Sequence, residues 1–229
     1  MQKIFTGICY CIGIGFWIVV LSSAQAQAHG ETVYTNKSTE TSHAAIDIIL
    51  ENEIWPLAQS PSVVSAIKQQ NLLHNQLTQD QINTLDQVWR QETETTQRPL
   101  INGMLKTDIS KELQSYRKSR NGLVTEVILI DNKGLNVGIS DVTSDYWQGD
   151  EDKWQKTLLR SPKAVFVSEA SIDESTQQFQ LQISVTVVDP ESSRGIGSLT
   201  VGVDLDLLEL YLEYGGQISK IPQREPAYE

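Results

Sequence analysis

Cysteine is confined to the far N-terminus: the chain has 2, Cys9 and Cys11, and no other thiol follows. The rest of the chain therefore has no disulfide framework, no thiolate metal site and no cysteine nucleophile, and a packed core must hold the fold. Histidine is scarce as well. The 3 residues His29, His43 and His74 share no ligand spacing, which argues against a transition-metal centre. Basic charge is outnumbered, 18 Lys and Arg against 29 Asp and Glu, for a net charge of −11. With no basic stretch to break that pattern, the surface repels nucleic acid and anionic lipid. Neither G-x-S-x-G nor H-E-x-x-H occurs. Gly195-Ile196-Gly197 precedes a strand pattern instead of opening a helix, so it is no dinucleotide loop. No catalytic residue, metal ligand set or cofactor is expected.

What is present first is one long apolar run. Lys3 precedes the uncharged stretch Ile4–Leu21, and Ala26-Gln27-Ala28 fits a small-residue cleavage pattern. Residues 1–28 read as a secretory signal peptide, with cleavage near Ala28 and a periplasmic or secreted product. The alternative is a retained anchor, since the run is nearly long enough to span a bilayer. Residues 29–41 are polar and aperiodic, and a flexible tail is expected there.

From residue 42 the pattern is helical. Ile46, Ile49, Leu50, Ile54 and Leu57 make one apolar stripe, which Pro56 should kink or end. Thr78 and Gln81 have capping-box spacing ahead of Ile82, Leu85, Val88 and Trp89. Ile101, Leu105, Ile109, Leu113 and Tyr116 predict a further helix running to Asn121-Gly122. The period then changes from about 3.6 to 2. Strands are expected over Val124–Ile130, Leu135–Val142, Ala164–Ile172, Leu181–Val187 and Leu199–Leu205, with a short helix over Asp150–Leu159 and a tail after residue 212. Helices first, then five strands on short links, predict an α+β domain: an antiparallel sheet covered by helices on one face.

Three motifs carry a resemblance: Leu129-Ile130-Asp131-Asn132-Lys133-Gly134, Ser144-Asp145-Tyr146-Trp147-Gln148-Gly149-Asp150-Glu151, and Ile196-Gly197-Ser198-Leu199-Thr200-Val201-Gly202-Val203-Asp204. In this order, over roughly residues 42–210, they resemble the first hairpin, the strand 2–3 linker and the last strand of the PAS-like extracytoplasmic sensor domains called PDC or Cache domains. The resemblance implies a single such domain over 42–212. It also implies a pocket between sheet and linker for a small molecule, often an organic acid, an amino acid or a metal ion. Its typical host is a membrane receptor, with the domain held between two transmembrane helices. Here the C-terminal 213–229 segment has no second apolar run. The expected form is thus a free exported module that binds a small-molecule ligand and reports through a partner, such as a membrane receptor or histidine kinase.

The linker supplies the candidate site. Tyr146, Trp147 and Trp154 offer aromatic walls, Asp141 and Asp150 offer directed carboxylates, and Arg90 on the preceding helix offers a carboxylate fork. The competing reading is a structural loop, sealed by its tryptophans and with Asp150 capping the short helix. A metal reading through Asp145, Asp150, Glu151 and Asp152 falls short of calcium-loop spacing. The alternative function is an interaction protein that keeps this fold without a ligand and docks on a membrane receptor, or pairs as a homodimer through its N-terminal helix.

Overall fold

A computed structural model describes residues 32–34, 40–172 and 179–222. The segment read as a signal peptide, Asn36-Lys37-Ser38, which matches a glycosylation acceptor, and Asp173–Thr176, whose composition reads as a turn, lie outside the described residues. Helix α1 (Glu40–Ile49) meets the proline problem first. Pro56 has no amide to donate, and its ring crowds the carbonyl four residues back. The chain widens into a π turn at Leu50–Ile54, where the Trp55 N–H bonds the Leu50 carbonyl, before α2 (Trp55–Ala58) resumes. The expected stripe from Ile46 to Leu57 is buried throughout.

Helix α3 (Pro61–Leu73) starts on a Ser60 cap, and α4 (Gln79–Thr93) starts on the reciprocal Thr78–Gln81 capping box read from sequence. The single helix expected over Ile101–Tyr116 is two: α5 (Pro99–Leu105) and α6 (Asp108–Lys118). Thr107 explains the break. Its hydroxyl donates to the Met104 carbonyl and accepts from the Ser110 amide, ending one helix and capping the next. Glu92 plays the same part upstream, its carboxylate accepting the Leu100 and Ile101 amides at 3.1 and 2.9 Å.

The strands are β1 (Thr32–Tyr34), β2 (Val124–Ile130), β3 (Asn136–Ile139), β4 (Val165–Val167), β5 (Ser171–Ile172), β6 (Phe179–Val188) and β7 (Gly195–Asp204). Their order is β1-β4-β6-β7-β2-β3, with β5 also on β6. The five expected strands are all there and pair antiparallel with one another. Two features differ from expectation. Residues 32–34, within the stretch read as a tail, pair parallel to β4. The strand expected over Ala164–Ile172 is split into β4 and β5. Between Val167↔Ile183 and Ser171↔Gln180 the chain carries one extra residue, and Ser168 bridges the gap by accepting the Gln182 amide on its hydroxyl. The short helix α7 (Asp152–Gln155) joins β3 to β4. At the other end Asp204 stops β7 by capping α8 (Leu205–Glu213), one residue before the expected strand end.

Alternation sorts the two sheet faces. Leu181, Ile183, Val185 and Val187 of β6, with Leu199, Val201 and Val203 of β7, pack under α1–α3 and α8. Each fully buried Ile or Leu of this layer is worth about 1.5–3 kcal/mol. The opposite face is not left to solvent, as one-sided covering predicted. Under β2 and β3, Ile128, Ile130, Leu135 and Ile139 form a second cluster with Ile82, Trp89 and Ile101 of α4 and α5. Under β6 and β7 that face is polar yet closed: Ser184, Thr186, Ser198 and Thr200 are all buried, and α7 contacts both strands. Ser184 and Thr200 bond each other at 2.9 Å, and Thr186 donates to the Ser161 carbonyl at 2.8 Å.

Candidate ligand site

One carboxylate fixes the linker from β3 to α7, and a second fixes the β2–β3 turn beside it. Asp86 on α4 accepts the Tyr146 and Trp147 amides on one oxygen, at 2.9 and 3.0 Å, and Arg90 on the other at 2.8 Å. Arg90 also pairs with Asp145 at 2.7 Å. Asp131, in the β2–β3 turn, is fully buried. It accepts the Lys133 and Leu135 amides on one oxygen and faces Gln70 and His74 of the α3 end with the other, at 3.0 and 3.1 Å. A buried carboxylate must be bonded in this way to be tolerable.

The aromatic side chains spend their polar atoms on the same turn. The Trp147 indole donates to the Lys133 carbonyl and the Trp154 indole to the Asp131 carbonyl, both at 2.9 Å. A Cβ on Gly134 would collide with the Gly149 backbone, and one on Gly149 with the Trp147 indole. Gly134 also has φ of +86°, which suits glycine alone among common residues. Tyr146 is buried and stacks on Trp89 with centroids 5.3 Å apart. Burial, with the Asp131 charge nearby, pushes its hydroxyl up to about 12.

Of the six residues singled out from sequence, Arg90, Tyr146, Trp147 and Trp154 are thus brought together around the β2–β3 hairpin. Asp141 lies apart, pairing with Arg117 of α6 at 3.2 Å. Asp150 is exposed, and the residue capping α7 is Glu151, whose side chain makes no cap bond. Glu151 turns instead to Lys153, at 2.9 Å.

A groove of about 550 Å³ opens next to this linker, between α7 and strands β4–β6. Glu151, Asp152, Lys153 and Lys156 of the α7 segment form one wall. Phe166, Ser168, Glu169 and Ser171 form the other, and Gln180 and Gln182 of β6 the floor. None of the six sequence-predicted residues lines it. Lys156 lies 4.9 Å over the Phe166 ring and pairs with Asp152 at 2.7 Å. The Gln182 amide donates to Glu126 at 2.8 Å. These are directed polar groups around one aromatic face, the lining that a small polar molecule needs. Sequence reading passed over them because serines and glutamines on an alternating strand carry no motif. The only cue was the polar half of the β6 alternation. Among the described residues, no group of acidic, His or Cys side chains is arranged to hold a metal ion. No helix of the described residues is long and apolar enough to cross a membrane.

No protein-family model and no curated protein matches the chain. Solved structures do. The sensory domain of the Campylobacter jejuni chemoreceptor Tlp3, with isoleucine bound, is 19% identical at a TM-score of 0.34, over 82% of this chain and 69% of that one. The sensor domain of the V. cholerae histidine kinase DctB is 13% identical at a TM-score of 0.39, over 77% and 55%. The E. coli DcuS sensor domain is 13% identical at 0.40, over 75% and 98%. All three are sensory domains.

Proposed function

We propose that this chain is an exported sensor-type domain that binds a small metabolite, of the organic-acid or amino-acid class, and reports through a partner protein. The observation that carries the reading is the groove between α7 and β4–β6: open on one side, aromatic on one wall and lined by serine, glutamine, lysine and carboxylate side chains. The segment 1–28 supports export by its order of charge, apolar run and small residues. In this reading the ligand lies on the polar strand face, and Arg90, Tyr146, Trp147 and Trp154 hold the linker that positions α7 above it. Occupancy favours one arrangement of α7 and linker, and the partner detects the difference.

Thermal unfolding against a panel of organic acids and amino acids tests it. A true ligand at about a hundred times its Kd stabilises the fold by about 2.7 kcal/mol. A panel without a single stabilising member would sink the ligand reading. It would favour an interaction protein, for which the exposed Leu72 and Leu73 at the α3 end, 73% and 80% accessible, are the relevant observation.

A further inference from the structure

Lys153 stands where groove and linker meet. It is 8% exposed, and a buried ammonium is costly unless its protons are bonded. It has three to donate. It donates one to the Gln148 side-chain oxygen and forms an ion pair with Glu151, each at 2.9 Å. The two partners differ in kind. The Glu151 side chain is 36% exposed and can return to water, whereas Gln148 is sealed at 1%.

Beyond Gln148 the polar contacts continue through Asp145, from its main-chain carbonyl to its side-chain carboxylate. The Gln148 amide donates to the Asp145 carbonyl at 2.8 Å, the Asp145 carboxylate pairs with Arg90 at 2.7 Å, and Arg90 donates to Asp86 at 2.8 Å. Asp86 in turn holds the Tyr146 and Trp147 amides.

We propose that Lys153 anchors the carboxylate of the groove ligand, and that Gln148, Asp145 and Arg90 convey its presence to Asp86 on α4. This rests on the groove being the ligand site. The ligand carboxylate takes the place of Glu151, one anion for another, so no uncompensated charge is buried. Released from Glu151, Lys153 keeps Gln148 as its only protein partner and holds it more tightly. The far end of the relay, at Tyr146 and Trp147, then opens less often. A chain of contacts becomes a pathway only if its ends are energetically coupled, and that coupling is measurable.

Acetate is the probe: a bare carboxylate, compared with chloride at equal ionic strength. Amide hydrogen exchange on the full chain is expected to slow at Tyr146 and Trp147 by about threefold or more beyond any slowing at Leu129 and Ile183. Lys153→Met should abolish the acetate effect everywhere. Gln148→Met should keep acetate binding but lose the extra protection at Tyr146 and Trp147. Without any probe, the unfolding constants of Lys153→Met, Arg90→Met and the double variant should depart from independence by about threefold or more. If Lys153→Met does not fold, Gln148→Met with Arg90→Met completes the same cycle. Acetate protection that survives Lys153→Met, or a cycle additive within about twofold, overturns the relay. A panel metabolite that stabilises Lys153→Met as well as the unaltered chain would leave the groove reading intact and defeat this one alone.

Discussion

The two ends of the sheet's second face solve opposite problems. At the β2–β3 end the linker brings three aromatic residues and two buried carboxylates together, and the two indole donors and the carboxylate oxygens are engaged by backbone groups and by Gln70, His74 and Arg90. At the β4–β6 end serines, glutamines, lysines and carboxylates border an open groove. Conspicuous side chains and available side chains are not the same set. Tryptophan draws attention by size, but once its indole N–H is bonded inside the protein it acts as a brace. Chemistry left over for a ligand sits on the plainer residues.

That contrast predicts large stability effects at the closed end and large binding effects at the open one. Asp131→Ala removes the acceptor of two backbone amides and of Gln70 at once, and should cost about 3–5 kcal/mol in urea unfolding with the m-value unchanged. Next comes alkaline pH. The unfolded Tyr146 hydroxyl releases its proton from about pH 10, while the folded one holds it to about 12. In that window the unfolded state binds fewer protons, so stability falls as pH rises. The loss should approach about 2–3 kcal/mol above pH 12, and Tyr146→Phe should flatten that part of the pH profile. Trp154→Phe forfeits a single bond to the Asp131 carbonyl, about 1–2 kcal/mol, and should leave any ligand-induced thermal shift its usual size. A vanished shift would place the closed end in the binding site and break the contrast. Smallest for stability is Ser171→Trp on the exposed groove wall, within about 0.5 kcal/mol. It should nonetheless abolish the ligand shift by filling the groove.

Much of the fold was legible because its signals are local. The β6 alternation, the Thr78–Gln81 box and the Asp131–Gly134 turn each occupy a few consecutive residues, and each is realised. The Thr107 break between α5 and α6 was equally local but hidden, since the apolar stripe runs through it in phase. The bulge at Ser168 escaped because it depends on the register of β6, not on β4 itself. The site was legible only as a location. Crowded aromatics marked the linker correctly as special, but Asp86, which fixes it, lies 60 residues upstream of Tyr146 and looks like any exposed helix carboxylate. Nothing within a short window could have linked the two.

The π turn at Leu50–Ile54 bears on length tolerance. Such a turn holds one residue more than an α-helical turn. Deleting one of residues 51, 52 or 53 would convert the site to ordinary helix while keeping the buried faces on both sides aligned. The same deletion in α3 or α4 would swing the following side chains by about 100° and throw their apolar stripe out of the core. The helix therefore contains one place where a natural single-residue deletion can survive. Its cost is set chiefly by Glu53, which binds Arg120 at 2.6 Å and faces the Tyr116 and Tyr211 hydroxyls.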